Sequence, residues 1–169
     1  MTTDQRPLLE TGLAALGFAR ASAFRFSEDI TDETRTKAPF EGGNHVAWVW
    51  GHLAWTDDYF MKEFSGGDSR IPESWQGLFG MGSEPRDDPG AYPALEELKR
   101  VAEERRAEVR AWFESKSEAE LLEDLPEQWQ SFAKTYAVLM STLAAHECMH
   151  VGQILTCRKA LKMGYAWTE

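Results

Sequence analysis

Apolar residues in this chain recur at steps of three and four, and no alternating run of β-branched residues is long enough to build a sheet. That periodicity confines the chain to helices packed on helices. Leu9, Leu13, Leu16, Ala19, Ala23 and Phe26 mark the buried stripe of a first helix, from Pro7 to about Ser27. After the turn Glu41-Gly42-Gly43-Asn44, with Asn44 expected as N-cap, a second helix runs from His45 to about Phe64. His45, Trp48, Val49, His52, Thr56 and Tyr59 share one of its faces. A rotation of about 100° per residue turns Asp57 and Asp58 away from that face, and both are expected to point outward.

A third helix, from near Pro93 to Phe113, turns Leu95, Leu98, Ala102, Val109 and Trp112 inward, and the charge run EELKRVAEERRAEVR reads as its solvated face. SKSEAELLEDLPEQW reads as a short helical turn ending at Pro126. The fourth helix runs from about Thr135 to Lys162, with Leu139, Leu143, His146, His150, Gln153 and Cys157 along its inward line. Residues 66–92 hold Gly, Pro, Ser and Asp in abundance, and a loop of that length crosses a bundle or covers a site. With 169 residues the chain suits one domain, residues 1–169: an all-α four-helix bundle with a long crossover.

The formal net charge of -10, with no concentrated run of Lys and Arg, argues against nucleic acid and against an anionic membrane surface as partners. No segment has the apolar length to span a bilayer, and MTTDQRPLLE lacks the pattern of a signal peptide. Cys148 and Cys157, nine residues apart in one helix, are separated by about 13 Å along its axis, too far for a disulfide. Free thiols point to the cytoplasm.

All four histidines lie on the second and fourth helices. His146 and His150, four apart, project from one face at a spacing that suits two ligands of one metal, and His52 supplies a third imidazole from across the core. Three neutral imidazoles suit a divalent ion such as Zn, Ni or Fe and leave a position open for water or substrate. His45 lies about 10 Å from His52 along the helix and is expected at the rim or the surface. Glu147 flanks the two helix-4 ligands as a candidate proton acceptor or supporting carboxylate, against the plain reading of a solvated helix carboxylate. His146-Glu147-Cys148-Met149-His150 also matches HExxH, the zinc-peptidase pattern, but Gln153 and Thr156 break its extended form, and Glu169 alone could serve as a later third ligand. A hydrolase is therefore a minor reading.

NHVAWVWGHLAWTDDY (residues 44–59) and HECMHVGQI (residues 146–154), in that order and separated by a Gly/Pro-rich crossover, resemble the two motifs of the DinB-like (YfiT-like) family. The resemblance implies an up-down-down-up bundle, often dimeric, with one divalent metal on three histidines, carried here onto His52, His146 and His150. Relatives in that family include transferases and isomerases that use low-molecular-weight thiols. The resemblance therefore implies a small-molecule thiol and an electrophile as partners, in a metal-dependent transferase of homodimeric form. The alternative is a non-enzymatic stress or interaction module stabilised by its metal. Gly152 is expected to admit a neighbouring helix closely, and Gln153 to orient a ligand or water from beside the metal.

Overall fold

The computed structural model describes residues 5–164. Among these, six α-helices carry the chain: α1 (Pro7–Phe26), α2 (Val46–Ser65), α3 (Trp75–Phe79), α4 (Leu95–Glu114), α5 (Glu118–Leu121) and α6 (Tyr136–Ala160). No strand occurs among the described residues, and α1, α2, α4 and α6 form the four-helix bundle.

Named contacts fix its topology. Gly12 lies against Met140, Arg20 against Glu147 and the carbonyl of Phe26 against Arg158, so α1 and α6 run parallel. Trp50 meets Lys99, Asp57 meets Arg106 and Phe64 meets Trp112, so α2 and α4 run parallel. Trp50 also reaches Ser27 while Asp57 reaches Arg20, which sets α1 and α2 antiparallel. The order is up-down-down-up.

The free backbone N–H groups at helix starts find partners, several of them distant in sequence. The N–H groups of Leu8 and Leu9 donate to Glu118 of α5, and that of Leu95 donates to Asp32. Ser117 and Glu120 form a capping box on α5, and the Thr135 hydroxyl caps α6. The cap of α2 is His45 rather than Asn44. Its Nδ1 accepts from the Trp48 N–H at 3.0 Å, the bond a cap side chain ordinarily supplies with oxygen. His45 is therefore fully buried instead of lying at the rim, and its Nε2 donates to the Arg86 carbonyl oxygen.

Helix α2 is buried on all sides from Val46 to Asp58, because α1, α4, α6 and the 66–92 segment together surround it. The expectation that Asp57 and Asp58 point outward fails for that reason: a central helix has no outward face. On the supposedly solvated run of α4, Lys99, Arg105 and Arg106 are buried, and Arg106 pairs with Asp57 while Arg105 lies 3.9 Å from Asp58, whose carboxylate also accepts from Ser69 and the Arg70 N–H. Asp57 accepts from Arg106 Nε at 2.8 Å and Nη2 at 3.0 Å, and from Arg20 Nη2 at 3.3 Å. Glu147 accepts from Arg20 Nε at 2.6 Å and lies 2.9 Å from Arg106 Nη2. Each long helix thus contributes one charged side chain to a neutral layer. Ala23, Trp50, Leu98 and Ile154 pack on one side of it, and Leu16, Phe60, Val109 and Leu139 on the other.

The 66–92 segment, which includes helix α3, runs back along α2 and bonds in turn to Asp58, Trp55, His52, Trp48 and the His45 cap. An ideal Cβ built on Gly51 would sit 2.2 Å from the Phe79 ring, so the glycine is what lets α3 seat against α2. A Cβ on Gly152, by contrast, would meet nothing within 4 Å among the described residues, so the expected close approach of a neighbouring helix there is not seen among them.

Candidate metal centre

Helix α2 supplies one imidazole, and two successive turns in the middle of α6 supply the other two. Ligand nitrogens of His52, His146 and His150 all lie within 4.8 Å of one another. His146 Nε2 and His150 Nε2 are 3.1 Å apart. Two bonds of about 2.0–2.1 Å from a common ion, at an angle near a right angle or somewhat wider, put two nitrogens about 3 Å apart. The donor set and its spacing therefore fit a divalent metal.

Hydrogen bonds set the tautomers that such binding needs. His52 Nδ1 lies 2.7 Å from the carbonyl oxygen of Phe79, which only accepts, so the proton sits on Nδ1 and the Nε2 lone pair faces the other two rings. His150 Nδ1 donates to Gln153 Oε1 at 2.8 Å, which frees its Nε2 in the same way, and Asn44 donates to that same oxygen at 3.1 Å. These are the outer partners that hold metal-binding imidazoles in orientation. Trp48 stacks on the His52 ring at 4.6 Å between centroids, its own N–H fixed by Ser83, and Trp55 faces His52 at 5.9 Å.

Burial pushes the pKa of each imidazole of the triad down to about 4. Repulsion from a neighbouring ring, once that ring is protonated, adds a smaller push in the same direction. All three are neutral near pH 7, the protonation state that binds metal.

The fold brings together the three residues expected to share an ion. Gln153 takes the orienting place beside His150. Glu147 does not take the place of proton acceptor: it is fully buried with its carboxylate committed to Arg20 and Arg106, since it points into the bundle between α1 and α4. Asp57 is buried too, and its partners are those same two arginines. Cys148 is exposed, while the Cys157 thiol donates to the Asn44 carbonyl oxygen and burial raises its pKa to about 11, so neither is poised as a nucleophile. Glu169 lies outside the described residues.

Three supporting groups escaped sequence reasoning: the Phe79 carbonyl, Asn44 in its role on Gln153, and the arginines behind Glu147. The only signal for the first was Gly51 beside His52. A cleft of about 250 Å³ lined by Phe40, Gly43, Asn44 and Gln153 runs up to the amide that orients His150.

Comparison with known proteins agrees with this architecture. The profile of the DinB superfamily matches residues 15–154. A conserved protein from Enterococcus faecalis, known from its crystal structure, superimposes with a TM-score of 0.72 at 16% identity, over 90% of this chain and 96% of that one. At that identity the likeness bears on the fold alone. Curated proteins offer no significant sequence match. No described helix is long and apolar enough to cross a membrane.

Proposed function

The chain belongs to the DinB superfamily, and we propose that it holds one divalent metal ion on His52, His146 and His150 and uses it in the transfer of a low-molecular-weight thiol to an electrophile. The observation that carries the metal is the convergence of three neutral imidazoles, two of which, His52 and His150, have their far nitrogens already tied to the Phe79 carbonyl and Gln153. When bound, a divalent ion favours thiolate over thiol and so raises the concentration of nucleophile at neutral pH.

The chain's own residues then have definite tasks. His52, His146 and His150 fill three positions and leave at least one for an incoming ligand. The Phe79 carbonyl and Gln153 keep the lone pairs aimed inward, and Trp48 and Trp55 shield the His52 ring from water. Glu147 and Asp57 hold Arg20 and Arg106 in place instead of moving protons. With Cys148 exposed and Cys157 protonated and buried, the thiol comes from a bound small molecule.

The test is conjugation of a cysteine-derived small thiol, of the bacillithiol or mycothiol type, to a chromogenic electrophile. Activity should require added metal, vanish in His146→Ala and survive replacement of both cysteines by Ser. Activity persisting in His146→Ala would remove the metal from the reaction. A second reading, a non-enzymatic module stabilised by its ion, is favoured by the burial of His52 and His150, at 8% and 7% exposure. Metal binding without turnover of any thiol would select it. The two-fold association implied by the family is part of the proposal, and molar mass in solution tests it.

A further inference from the structure

We propose that the cleft of about 450 Å³ between α2 and residues 69–76 binds a small amino-acid-type zwitterion. The inference goes beyond the metal reading and does not depend on it. Cavities of this volume accommodate small metabolites. The floor is aromatic: the Trp55 and Tyr59 rings stack at 5.2 Å with 13° between their planes. Ile71 and Pro72 add apolar surface from the facing segment.

That segment is pinned to the helix. Asp58 accepts from the Ser69 hydroxyl at 2.6 Å and from the Arg70 N–H at 2.9 Å, and Trp55 Nε1 donates to Gln76 Oε1 at 2.9 Å. The carboxylate of Asp58 is thereby spent on the wall, and the Gln76 amide nitrogen is left as a donor at the rim.

Two charges remain. Lys62 enters from α2 and Glu73 from the opposite wall, both exposed, and neither has an ion-pair partner among the described residues, including each other. An ammonium and a carboxylate carried on opposite walls of a cleft with aromatic lining are complementary to a molecule with a carboxylate and an ammonium beside an apolar body. A polyanion such as a nucleotide would find one cation and two carboxylates in the same cleft. A simple amine or a simple acid would use only half of it. Trp55 is shared with the triad, since its ring also faces His52, so a zwitterion seated here lies next to the imidazole cluster.

L-phenylalanine serves as the probe, with phenethylamine and 3-phenylpropionate as the versions lacking one charge. Binding is followed by saturation-transfer NMR on metal-free and zinc-loaded protein. L-phenylalanine should bind about fivefold tighter than either control, the scale of one exposed charge pair. Lys62→Met should weaken L-phenylalanine and 3-phenylpropionate but spare phenethylamine. Glu73→Gln should weaken L-phenylalanine and phenethylamine but spare 3-phenylpropionate. Both side chains are exposed, so the variants should melt like the parent. Equal binding of the three molecules, affinities unmoved by either variant, or no binding of L-phenylalanine would each overturn the proposal. Zinc affinity is measured on the same samples. Its loss with L-phenylalanine binding intact counts against the metal reading alone, and the reverse counts against this inference alone.

Discussion

Replacing His150 by Ala removes one of three imidazole nitrogens and also the group that Gln153 holds in orientation. Metal binding measured by calorimetry should be abolished, and the difference in melting temperature with and without chelator should vanish. Gln153→Ala is a milder lesion. It leaves all three ligands but frees the His150 ring to turn, and losses of about 10- to 100-fold in metal affinity are usual when such an outer partner is removed. Affinity unchanged in Gln153→Ala would reduce that residue to a polar group at the rim of the bundle. Acid should act on the same three rings. Their folded pKa of about 4 lies below the ordinary 6.5, so the unfolded chain binds more protons between those values. The triad's contribution to stability is complete above pH 6.5 and is lost as pH falls from there through 4. Chemical denaturation of metal-free protein across that window should show stability falling with pH, and His52→Asn should flatten the slope. Equal slopes for the two proteins would mean that His52 is protonated in the native state.

At the scale of elements, the ion-paired layer ties one residue of each long helix to two others. Removing one partner from a buried charge network strands the rest and costs about 3–5 kcal/mol, whereas exchanging all the charges for well-packed apolar groups is often neutral or stabilising. Arg106→Met should therefore destabilise by that amount in urea unfolding, because Asp57 and Glu147 both lose a guanidinium. A variant carrying Met or Leu at positions 20, 57, 106 and 147 should recover much of the loss. If it is worse than the single variant, the layer contributes attraction of its own beyond setting the register of the helices. The seat of α3 is testable separately. A methyl at Gly51 overlaps the Phe79 ring, so Gly51→Ala must displace α3 and with it the carbonyl that orients His52. About 1–3 kcal/mol of destabilisation follows from such overpacking, accompanied by weaker metal binding. Loss of stability with metal affinity unchanged would show that the Phe79 contact is dispensable for the site.

For the whole molecule, the triad joins α2 to α6, so an ion held there clamps one half of the bundle to the other. An ion that binds only the folded state adds about 2.7 kcal/mol at a free concentration of 100 times its dissociation constant. Zinc or nickel should raise the melting temperature in a concentration-dependent way that chelator reverses. A melting temperature indifferent to every divalent ion tried would remove the proposed cofactor.

Which residues form helices, where the long crossover falls and which three histidines could share an ion are all legible in the sequence. The helices follow from the three- and four-residue steps of the apolar stripes, the crossover from its Gly, Pro, Ser and Asp content, and the triad from the four-residue step from His146 to His150 with His52 on the inward face of a second helix. What surrounds each helix is not local information. Asp57 lies off the histidine face of α2, and spacing alone cannot say that another helix waits on that side. Tertiary structure decided that Asp57 and Glu147 are buried with Arg20 and Arg106 instead of facing water or ligand. It decided likewise that His45 caps α2 and that a backbone carbonyl from α3 orients His52. A side chain's partner is set by chain segments far away in sequence, and only packing brings those segments together.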